Sequence, residues 1–529
     1  MVGSFACAIA ATNANPRNPA ANFLIFIKFN APLLKGSFKK EHSTHFPGVQ
    51  VEWMVIKIDC LFCTYRDEGI EVDRYRRSMP SFLLKRRFFA RMIPGMLDVK
   101  VIREKTDWVR ARLAARNAGD EAKIQQILDL DDARRKNLAE SEALKAQRNK
   151  VSKEIGALMG QKKIEEANAK KKETADIGRK ISDLDKELVE IEEKRQDILL
   201  RTPNTPHDSV PTGKDSNDNP VIKVYGEKPV YNFKPLNHIE LCEKLGLIDF
   251  ARATKISGRG FVLYTNWGAK LERALINFLL DLHTKQHGYT EIEPPFMVSR
   301  DCMFGVGQFP KFMDQAYAVQ EGADSETLGK QYLVPTAEAP LTNIHRDEIL
   351  KESQLPIRYC AYTPCFRAEA GAAGLGTRGL IRVHQFDKVE LVKIVTPETS
   401  YQELEDLLAN AEKVLQLLGL HYHIVTLCTG DMGFTSAKTY DIEVWAPGQD
   451  QYLEVSSCSN CEDYQARRMG LRYKAADGSN RYPHLLNGSG TALARLFVAL
   501  LETYQQEDGS ILIPEILRPY LGTDRITAQ

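Results

Sequence analysis

The segment TPCFRAEAGAAGLGTRGLIRVHQFDKVEL, which begins at Thr363, places cations, acids and aromatic residues at short intervals around a glycine-rich centre. If its first part is a strand, Arg367 and Glu369 share a face because they are two residues apart. The alternate residues of a returning strand, which would also share a face, are Arg382, His384, Phe386, Lys388 and Glu390. Guanidinium, aromatic ring and carboxylate together suit a nucleotide, since they bind phosphate, stack on a base and accept from an amine.

Two antiparallel strands joined by a flexible loop would position these side chains. The loop glycines are Gly371, Gly374, Gly376 and Gly379, and glycine gives a loop the freedom to move over a ligand. A buried sheet face cannot hold so many charges, and a solvated face does not need this variety of side chains. The pattern favours a ligand site, with a solvated charged hairpin as the alternative.

The composition of the whole chain is that of an ordinary globular protein. The chain has 529 residues, 43% hydrophobic and 27% charged, with a net charge of +1, and this length suggests about two to four domains. The balanced charge does not indicate nucleic-acid binding, although basic patches can be local. No run of about eighteen apolar residues predicts a membrane span. The N-terminus lacks the basic region of a secretory signal.

Cysteine usage indicates a reduced, cytoplasmic compartment. Ten cysteines in a chain of this length do not make a disulfide scaffold. The C-x-x-C pairs Cys60/Cys63 and Cys458/Cys461 lack the flanking ligand spacing of a zinc finger. We interpret them as unlinked thiols, and a shared zinc site is the alternative.

Residues 121–200 are rich in Ala, Glu, Lys, Leu and Gln and show a helical seam. The apolar residues that fall on steps of four and three, or their sum, are Ile177, Ile181, Leu184, Leu188, Ile191 and Ile198, with a matching stripe at Val151, Ile155 and Leu158. Between the stripes lies GQKKIEEANAKKKET. The pattern predicts two long antiparallel helices with a basic turn at the tip. This arm either dimerises or binds a phosphate backbone through Lys162, Lys163, Lys170, Lys171 and Lys172.

Changes in composition along the chain divide it into three regions: 1–95, 96–205 and 206–529. The first contains a basic cluster, LLKRRFFARM, without sustained periodicity. Because well-patterned sequence begins at Met96, we expect residues 1–95 to be an over-extended gene start or a poorly ordered leader. The third region mixes helix faces with short strand-like runs, so its fold class is α+β. Its predicted helix faces are Leu271, Leu275, Phe278 and Leu282, and Leu493, Leu496, Phe497, Leu500 and Leu501.

The segment that begins at Thr363 resembles motif 2 of class II aminoacyl-tRNA synthetases. Other strings agree in order with seryl-tRNA synthetases of the bacterial type. GYTEIEPPFMV resembles motif 1, PTAEAPL the serine-recognition loop, LEVSSCSNCEDYQARR the metal-and-ATP strand and LNGSGTALAR motif 3. The resemblance covers about residues 96–529. It implies an antiparallel sheet flanked by helices, preceded by a two-helix coiled-coil arm that binds the long variable arm of the tRNA.

The resemblance also implies roles for individual residues. Arg367 would bridge the α-phosphate and the serine carboxylate, and Arg495 would bind the γ-phosphate; with Glu454 they form the catalytic set. The expected ATP-binding residues are Arg367, Ala368, Glu369, Val383, Phe386, Glu454, Val455, Ser456, Ser457 and Arg495. The expected serine-binding residues are Thr336, Ala337, Glu338, Arg367, Glu390 and Ser489. Glu454 and Ser457 would hold Mg²⁺, which prefers oxygen ligands.

The implied activity is that of a cytoplasmic, homodimeric ligase. It would join L-serine to ATP as seryl-adenylate and transfer serine to tRNA(Ser), and to tRNA(Sec) because the arm reads tRNA shape. One alternative is a related ligase that loads a carrier protein, which would be expected to lack the basic arm. The other is an inactive tRNA-binding paralogue, which would be expected to lack a core arginine or carboxylate. Arg367, Glu369, Glu454 and Arg495 are all present.

Overall fold

The computed structural model describes residues 97–322, 329–368 and 379–528, together with the backbone of three strands near the N-terminus. The chain separates into two compact units, Met1–Met92 and Ile93–Gln529. In the first unit three antiparallel strands form a sheet in the order β1 (Cys7–Ile9), β2 (Phe23–Lys28) and β3 (Trp53–Ile58). The interpretation of residues 1–95 as a doubtful leader stays a prediction.

The second unit begins with a helical arm. Its helices are α1 (Val99–Glu104), α2 (Thr106–Ala114), α3 (Lys123–Gly160) and α4 (Ile164–Leu200). Cross-helix ion pairs show that α3 and α4 run antiparallel, because Arg134 near the base pairs with Glu192 and Glu154 near the tip pairs with Lys170. Every residue of the predicted seam is buried or half-buried. The predicted antiparallel coiled-coil arm is therefore confirmed.

The tip of the arm is shorter than the sequence suggested. The connection between the two helices is only Gln161–Lys163, with Lys162 at a φ of +60°. Lys170, Lys171 and Lys172 lie within α4 rather than in a turn. The segment lacks large apolar residues, but its alanine, glutamate and lysine residues are strong helix formers, so it continues the helix without a stripe.

The base of the arm packs into the C-terminal part of the chain. Leu113, Ile124 and Leu199 of the arm share a hydrophobic cluster with Phe434 and Tyr464. The Tyr464 hydroxyl also donates to the carbonyl of Thr202 at 2.7 Å. The arm is thus joined to the rest of the second unit by a common core.

Arg116 fixes this junction with hydrogen bonds to backbone carbonyls. It is buried, and its guanidinium donates to the carbonyls of Met432 at 3.0 Å, Asn204 at 3.3 Å and Gly433 at 2.6 Å. Burial lowers the pKa of Arg116 to about 10. A charged group so far from water is costly unless its donors are satisfied, so this arginine is stable only while the junction stays closed.

Among the described residues, the C-terminal part has sixteen strands, and eight of them form one large sheet. In chain order the strands are β4 (Val221–Tyr225), β5 (Thr290–Glu291), β6 (Met297–Ser299), β7 (Ala318–Val319), β8 (Gln331–Leu333), β9 (Ile349–Lys351), β10 (Ile357–Phe366), β11 (Gln385–Val395), β12 (Tyr422–Thr426), β13 (Lys438–Ala446), β14 (Gln451–Asn460), β15 (Arg472–Lys474), β16 (Asn480–Arg481), β17 (His484–Ala492), β18 (Ile511–Leu512) and β19 (Arg525–Ile526). The large sheet has the order β4-β12-β13-β14-β17-β11-β10-β5. All its neighbours pair antiparallel except β10 and β5.

The C-terminal part also contains helices, and three of them cover one face of this sheet. The helices are α5 (His238–Leu245), α6 (Phe250–Ser257), α7 (Asn266–Lys285), α8 (Arg300–Gly305), α9 (Glu338–Thr342), α10 (Ser400–Leu417), α11 (Tyr464–Met469), α12 (Leu493–Tyr504) and α13 (Arg518–Leu521). The apolar sides of α7, α10 and α12 form the main core with alternate residues of the strands. Both predicted helix faces are buried there, which confirms the α+β fold with a largely antiparallel sheet. Of the helices in the described residues, none is both long and apolar enough to cross a membrane.

The motif 2 hairpin differs in its ends from the sequence prediction. β10 ends at Phe366 and β11 begins at Gln385, so Arg367, Arg382 and His384 lie just outside the strands. The pairing nevertheless extends by one step, because the Arg367 amide donates to the carbonyl of His384 at 3.0 Å. Glu369, Arg378 and the three loop glycines between them lie outside the described residues.

Candidate active site

Three neighbouring strands bring the predicted residues of the central sheet to one open face. On β11, Phe386 lies opposite Cys365, and Glu390 lies opposite Ser489 of β17. Directly opposed residues share a face, and so do alternate residues of one strand. Phe386, Lys388, Glu390 and Ser489 therefore lie together, as the period of two predicts.

A buried ion pair forms the floor of this face. The Lys388 ammonium contacts the Glu390 carboxylate and donates to the Thr336 hydroxyl at 2.7 Å. Lys388 is 6% exposed and Glu390 is 2% exposed. Burial raises the pKa of Glu390, and the charge of Lys388 opposes that shift. Two charges this far from water are tolerated because each has the other as partner. Lys388 therefore neutralises Glu390 within the pocket, a role that the sequence did not reveal.

Glu338, at the start of α9, lies beside this pair. Its Oε1 accepts from the side-chain amides of Gln465 at 2.6 Å and Asn487 at 3.0 Å. Burial, followed by repulsion from Glu390, raises the pKa of Glu338 to about 7. The neighbouring Ala337 is fully buried in a cluster with Leu341, so its side chain packs rather than faces a ligand.

Arg367 lies over the ring of Phe386. The guanidinium carbon is 5.2 Å from the ring centroid, and Nε donates to the carbonyl of Pro335 at 3.3 Å. The side chain is exposed, so its remaining donors can reach a bound anion. The next residue, Ala368, is fixed through its amide, which donates to the carbonyl of Gln315 at 3.1 Å. The site thus places a cation and an aromatic plane side by side.

Glu454 and Ser457 share a face because of a β-bulge. They are three residues apart on β14, a spacing that puts side chains on opposite faces of a regular strand. In the structure Glu454 lies opposite Glu443 and Ser457 opposite Asp441, with an irregularity between the two pairs. Asp441 and Glu443 are two apart on the regular strand β13, so all four side chains lie on the same face.

These side chains form a set of oxygen donors. Glu454 is exposed and Ser457 is half-buried. Oδ1 of Asp441 is buried and has no hydrogen-bond partner among the described residues. Burial and the charge of Glu454 raise the pKa of Asp441 well above its ordinary range. Carboxylate and hydroxyl oxygens are ligands that Mg²⁺ prefers, so this set fits the predicted ion.

Arg495 joins the metal-and-ATP strand to motif 3. Its guanidinium donates to the Glu454 carbonyl at 2.7 Å and lies 3.3 Å from the Glu454 carboxylate. The Ser456 hydroxyl donates to the carbonyl of Ser489 at 2.5 Å, which ties β14 to β17. The side chains of Val383 and Val455 are buried, so each could meet a nucleotide only through its backbone.

Sequence reasoning missed residues that complete the pocket. Gln465 and Asn487 hold Glu338 from far along the chain, and Asp441 lies across the sheet from Ser457. Two of them fall inside strings already associated with the site, LEVSSCSNCEDYQARR and LNGSGTALAR. The signal available for Gln465 and Asn487 was a polar amide side chain within each of these strings.

The described cysteines are free thiols. Burial raises the pKa of Cys458 and of Cys461 to about 12, so both stay protonated and unreactive. This agrees with their interpretation as unlinked packing residues. Cys60 and Cys63, the other predicted pair, lie outside the described residues.

The lysines at the tip of the arm are mostly exposed. Lys162, Lys163, Lys171 and Lys172 are open to solvent. Lys163 lies 3.5 Å from Glu166, and Lys170 pairs with Glu154 at 3.2 Å and Glu173 at 3.0 Å. The positive surface at the tip therefore comes chiefly from Lys162, Lys171 and Lys172, because Lys163 and Lys170 lie beside glutamates.

Two family models match the chain. The seryl-tRNA synthetase N-terminal domain matches residues 96–206. The tRNA synthetase class II core domain (G, H, P, S and T) matches residues 317–504.

Individual relatives extend over the same region. A serine–tRNA ligase of Akkermansia muciniphila is 54% identical over 431 residues, which are 82% of this chain and 99% of the relative. One of Geobacter sulfurreducens is 53% identical over 428 residues, 81% of this chain and 99% of the relative. The crystal structure of seryl-tRNA synthetase from Pyrococcus horikoshii complexed with ATP matches with a TM-score of 0.76 at 39% identity. That match covers 82% of this chain and 100% of the other.

Proposed function

Because the chain belongs to the seryl-tRNA synthetase family and is a serine–tRNA ligase of class II, we propose that its open sheet face forms seryl-adenylate and that its arm holds the tRNA for transfer. The observation that carries this proposal is the juxtaposition on one face of Arg367 over Phe386 with the buried pair Lys388–Glu390. An exposed cation beside an aromatic plane suits ATP, and a polar, water-poor pocket suits a small zwitterion.

Adenylate formation joins two anions. An oxygen of the serine carboxylate forms a bond to the α-phosphorus, the bond from that phosphorus to the bridging oxygen of the β-phosphate breaks, and pyrophosphate leaves. The carboxylate is already ionised, so no protein base is needed, and catalysis consists of positioning and charge neutralisation. We assign Arg367 to the α-phosphate and the serine carboxylate, Phe386 to the adenine ring and Arg495 to the γ-phosphate. Glu369 is assigned to the adenine amine.

We assign magnesium to the face formed by Glu454 and Ser457. The β-bulge aligns their oxygens, and Oδ1 of Asp441, which has no hydrogen-bond partner in the part of the chain that the structure describes, lies on the same face. When bound there, the ion supplies positive charge to the phosphate oxygens of ATP. The guanidinium of Arg495 also places positive charge beside Glu454.

The serine pocket discriminates by hydrogen bonding. Thr336, Glu338, Glu390 and Ser489 supply polar groups, and the two carboxylates can accept from the ammonium and hydroxyl groups of serine. A site built to bind a hydroxyl group rejects the analogue that lacks it, since its buried groups are left unpaired. Alanine should therefore bind far more weakly than serine.

Replacement of Glu390 should weaken serine binding far more than ATP binding. We expect Glu390→Ala and the isosteric Glu390→Gln to raise the KM for serine by about tenfold or more, because a charged hydrogen bond is lost, with the KM for ATP changed by less than about threefold. Steady-state pyrophosphate exchange with each substrate varied in turn measures both. Glu390→Gln keeps the volume of the pocket, although it leaves Lys388 unneutralised, so Lys388→Met/Glu390→Gln serves as the control. Equal loss for both substrates would show that Glu390 organises the whole site.

The arm is assigned to the tRNA. Its exposed tip lysines can bind phosphates along the long variable arm of tRNA(Ser), and tRNA(Sec) is proposed as a second substrate because the contacts read shape. We further propose a homodimer that works in the cytoplasm. The free thiols of the described cysteines support a reduced compartment.

Serine-driven ATP–pyrophosphate exchange tests the activity directly. The purified chain should exchange labelled pyrophosphate into ATP with serine and not with alanine, and should then charge tRNA(Ser). Exchange without tRNA charging would favour a carrier-protein ligase. Absence of both would mean an inactive paralogue.

A further inference from the structure

Gln465 connects the short helix α11 to the amino-acid pocket. It lies in α11 and is 1% exposed. Its Nε2 donates to Oε1 of Glu338 at 2.6 Å and to the carbonyl of Val306 at 3.2 Å. No motif that predicted the serine site singled out this residue.

We propose, on the basis of the serine-activating function above, that Gln465 is a positioning residue that orients Glu338 so that its second oxygen, Oε2, accepts from a donor group of the amino-acid substrate. The role is indirect, since Gln465 acts through Glu338. It would set the affinity for serine and leave the ATP subsite unchanged.

The orientation of the Gln465 amide follows from its neighbours. Both groups that Nε2 meets, the Glu338 carboxylate and the Val306 carbonyl, are acceptors. Rotation of the amide by half a turn would place its oxygen against two other oxygens, which is repulsive. The amide must therefore present both of its N–H groups, and its direction is fixed from two sides.

The donors reach a single oxygen of the carboxylate. Asn487 donates to the same Oε1 at 3.0 Å, so two amides hold one edge of Glu338. A carboxylate held in this way has a defined rotamer, and its other oxygen is aimed to the opposite side. Glu390 lies close to Glu338 and repels it, and the hydrogen bond from Gln465 stabilises the charged form of Glu338 against this repulsion.

The charge state of Glu338 depends on the same contacts. Glu390 and Lys388 face it from β11, Arg367 from the end of β10, and the Cys461 thiol from β14's end. Burial raises the pKa of Glu338 to about 7, and the hydrogen bond from Gln465 opposes that rise. Loss of the donor should raise this pKa further. The ionised form would then appear only at higher pH, and serine binding with it.

Two substitutions of Gln465 should respond to pH in opposite ways. Gln465→Met keeps the length of the side chain and removes both donors, so serine kcat/KM should fall about tenfold or more near neutral pH and recover as the pH rises. Gln465→Glu is isosteric. Its carboxyl can donate to Glu338 only while protonated, so its serine kcat/KM should fall as the pH rises. In both, the KM for ATP should change by less than about twofold.

The measurement is serine-dependent pyrophosphate exchange from about pH 6 to 9, with thermal unfolding to verify the fold. Met469→Leu is the matched control, since Met469 lies in the same helix and packs in a different, hydrophobic cluster. It should leave the profile of the wild type unchanged. Parallel losses for serine and ATP, or identical pH profiles in both Gln465 variants, would overturn the positioning role. A wild-type chain without serine-dependent exchange would instead overturn the proposed function.

Discussion

Replacing Arg367 with alanine should abolish serine-dependent pyrophosphate exchange while leaving the fold intact. The exposed guanidinium lies over Phe386 and has few protein contacts to lose, so stability should change little. In the reaction it is assigned to the point where the serine carboxylate meets the α-phosphate. Removal of one preorganised donor from such a site costs about 10²–10³ in rate, and here the donor also carries a charge.

Single-turnover adenylate formation would measure this effect separately from binding. Arg367→Lys retains the charge and loses the planar fork, so it should recover only part of the rate. Arg481→Ala is a suitable control, because Arg481 is an exposed arginine that forms an ion pair with Asp477 on the surface. Activity of Arg367→Ala within about threefold of the wild type would show that the phosphate role is wrong.

Removal of the outer arm should separate the two half-reactions. From sequence alone, the cut would run from about Asp131 to Leu199. The structure moves it outward, because Asp131 is buried in ion pairs with Arg103 and Arg195, and Leu199 lies in the core of the arm's base. Deletion of residues 141–184 with a short glycine linker retains that base.

The shortened protein should form seryl-adenylate at nearly the normal rate, since no residue assigned to ATP or serine lies in the arm. Aminoacylation should fall by about 10³, because the phosphate contacts that hold the tRNA are lost. In the intact protein, tRNA affinity should fall steeply with salt while serine affinity barely changes. Filter binding and charging assays over a range of salt concentrations measure both.

Alanine at Lys171 and Lys172 should reduce the salt slope by a fraction. These two lysines are exposed, whereas Lys170 is engaged with Glu154 and Glu173, so Lys170→Ala provides the matched comparison.

Charging by the shortened protein at a near-normal rate would mean that the arm is a structural or dimerising element.

Features that depend on a local repeat were predictable from the sequence. The seam from Ile177 to Ile198 follows helical spacing, and each of its residues is shielded in the arm. The shared face of Phe386, Lys388 and Glu390 follows from alternation along one strand. In both, the geometry of one element determines which side chains meet.

Features that depend on an irregularity or on distant contacts were not predictable in this way. The alignment of Glu454 with Ser457 requires a bulge, and period-two reasoning alone would separate them. The bond from Gln465 to Glu338 joins residues 127 positions apart. The prediction of an extended basic turn was wrong. The strong helix formers in that segment extend α4, so only three residues separate it from α3. The resemblance to known motifs supplied the metal pair that periodicity could not.

The closed junction at Arg116 has a mechanical consequence for the arm. Helix α3 has 38 residues, and at 1.5 Å per residue it is a lever about 57 Å long. A rotation of about 5° at its base would displace the tip by about 5 Å. A small change of angle at the base therefore moves the tip lysines by several ångströms. The guanidinium of Arg116 is held by backbone carbonyls, which have no rotamers to change. It therefore fixes the base of the arm more rigidly than a pair of side chains could. The position of the tip therefore depends on how firmly the base of the arm is held.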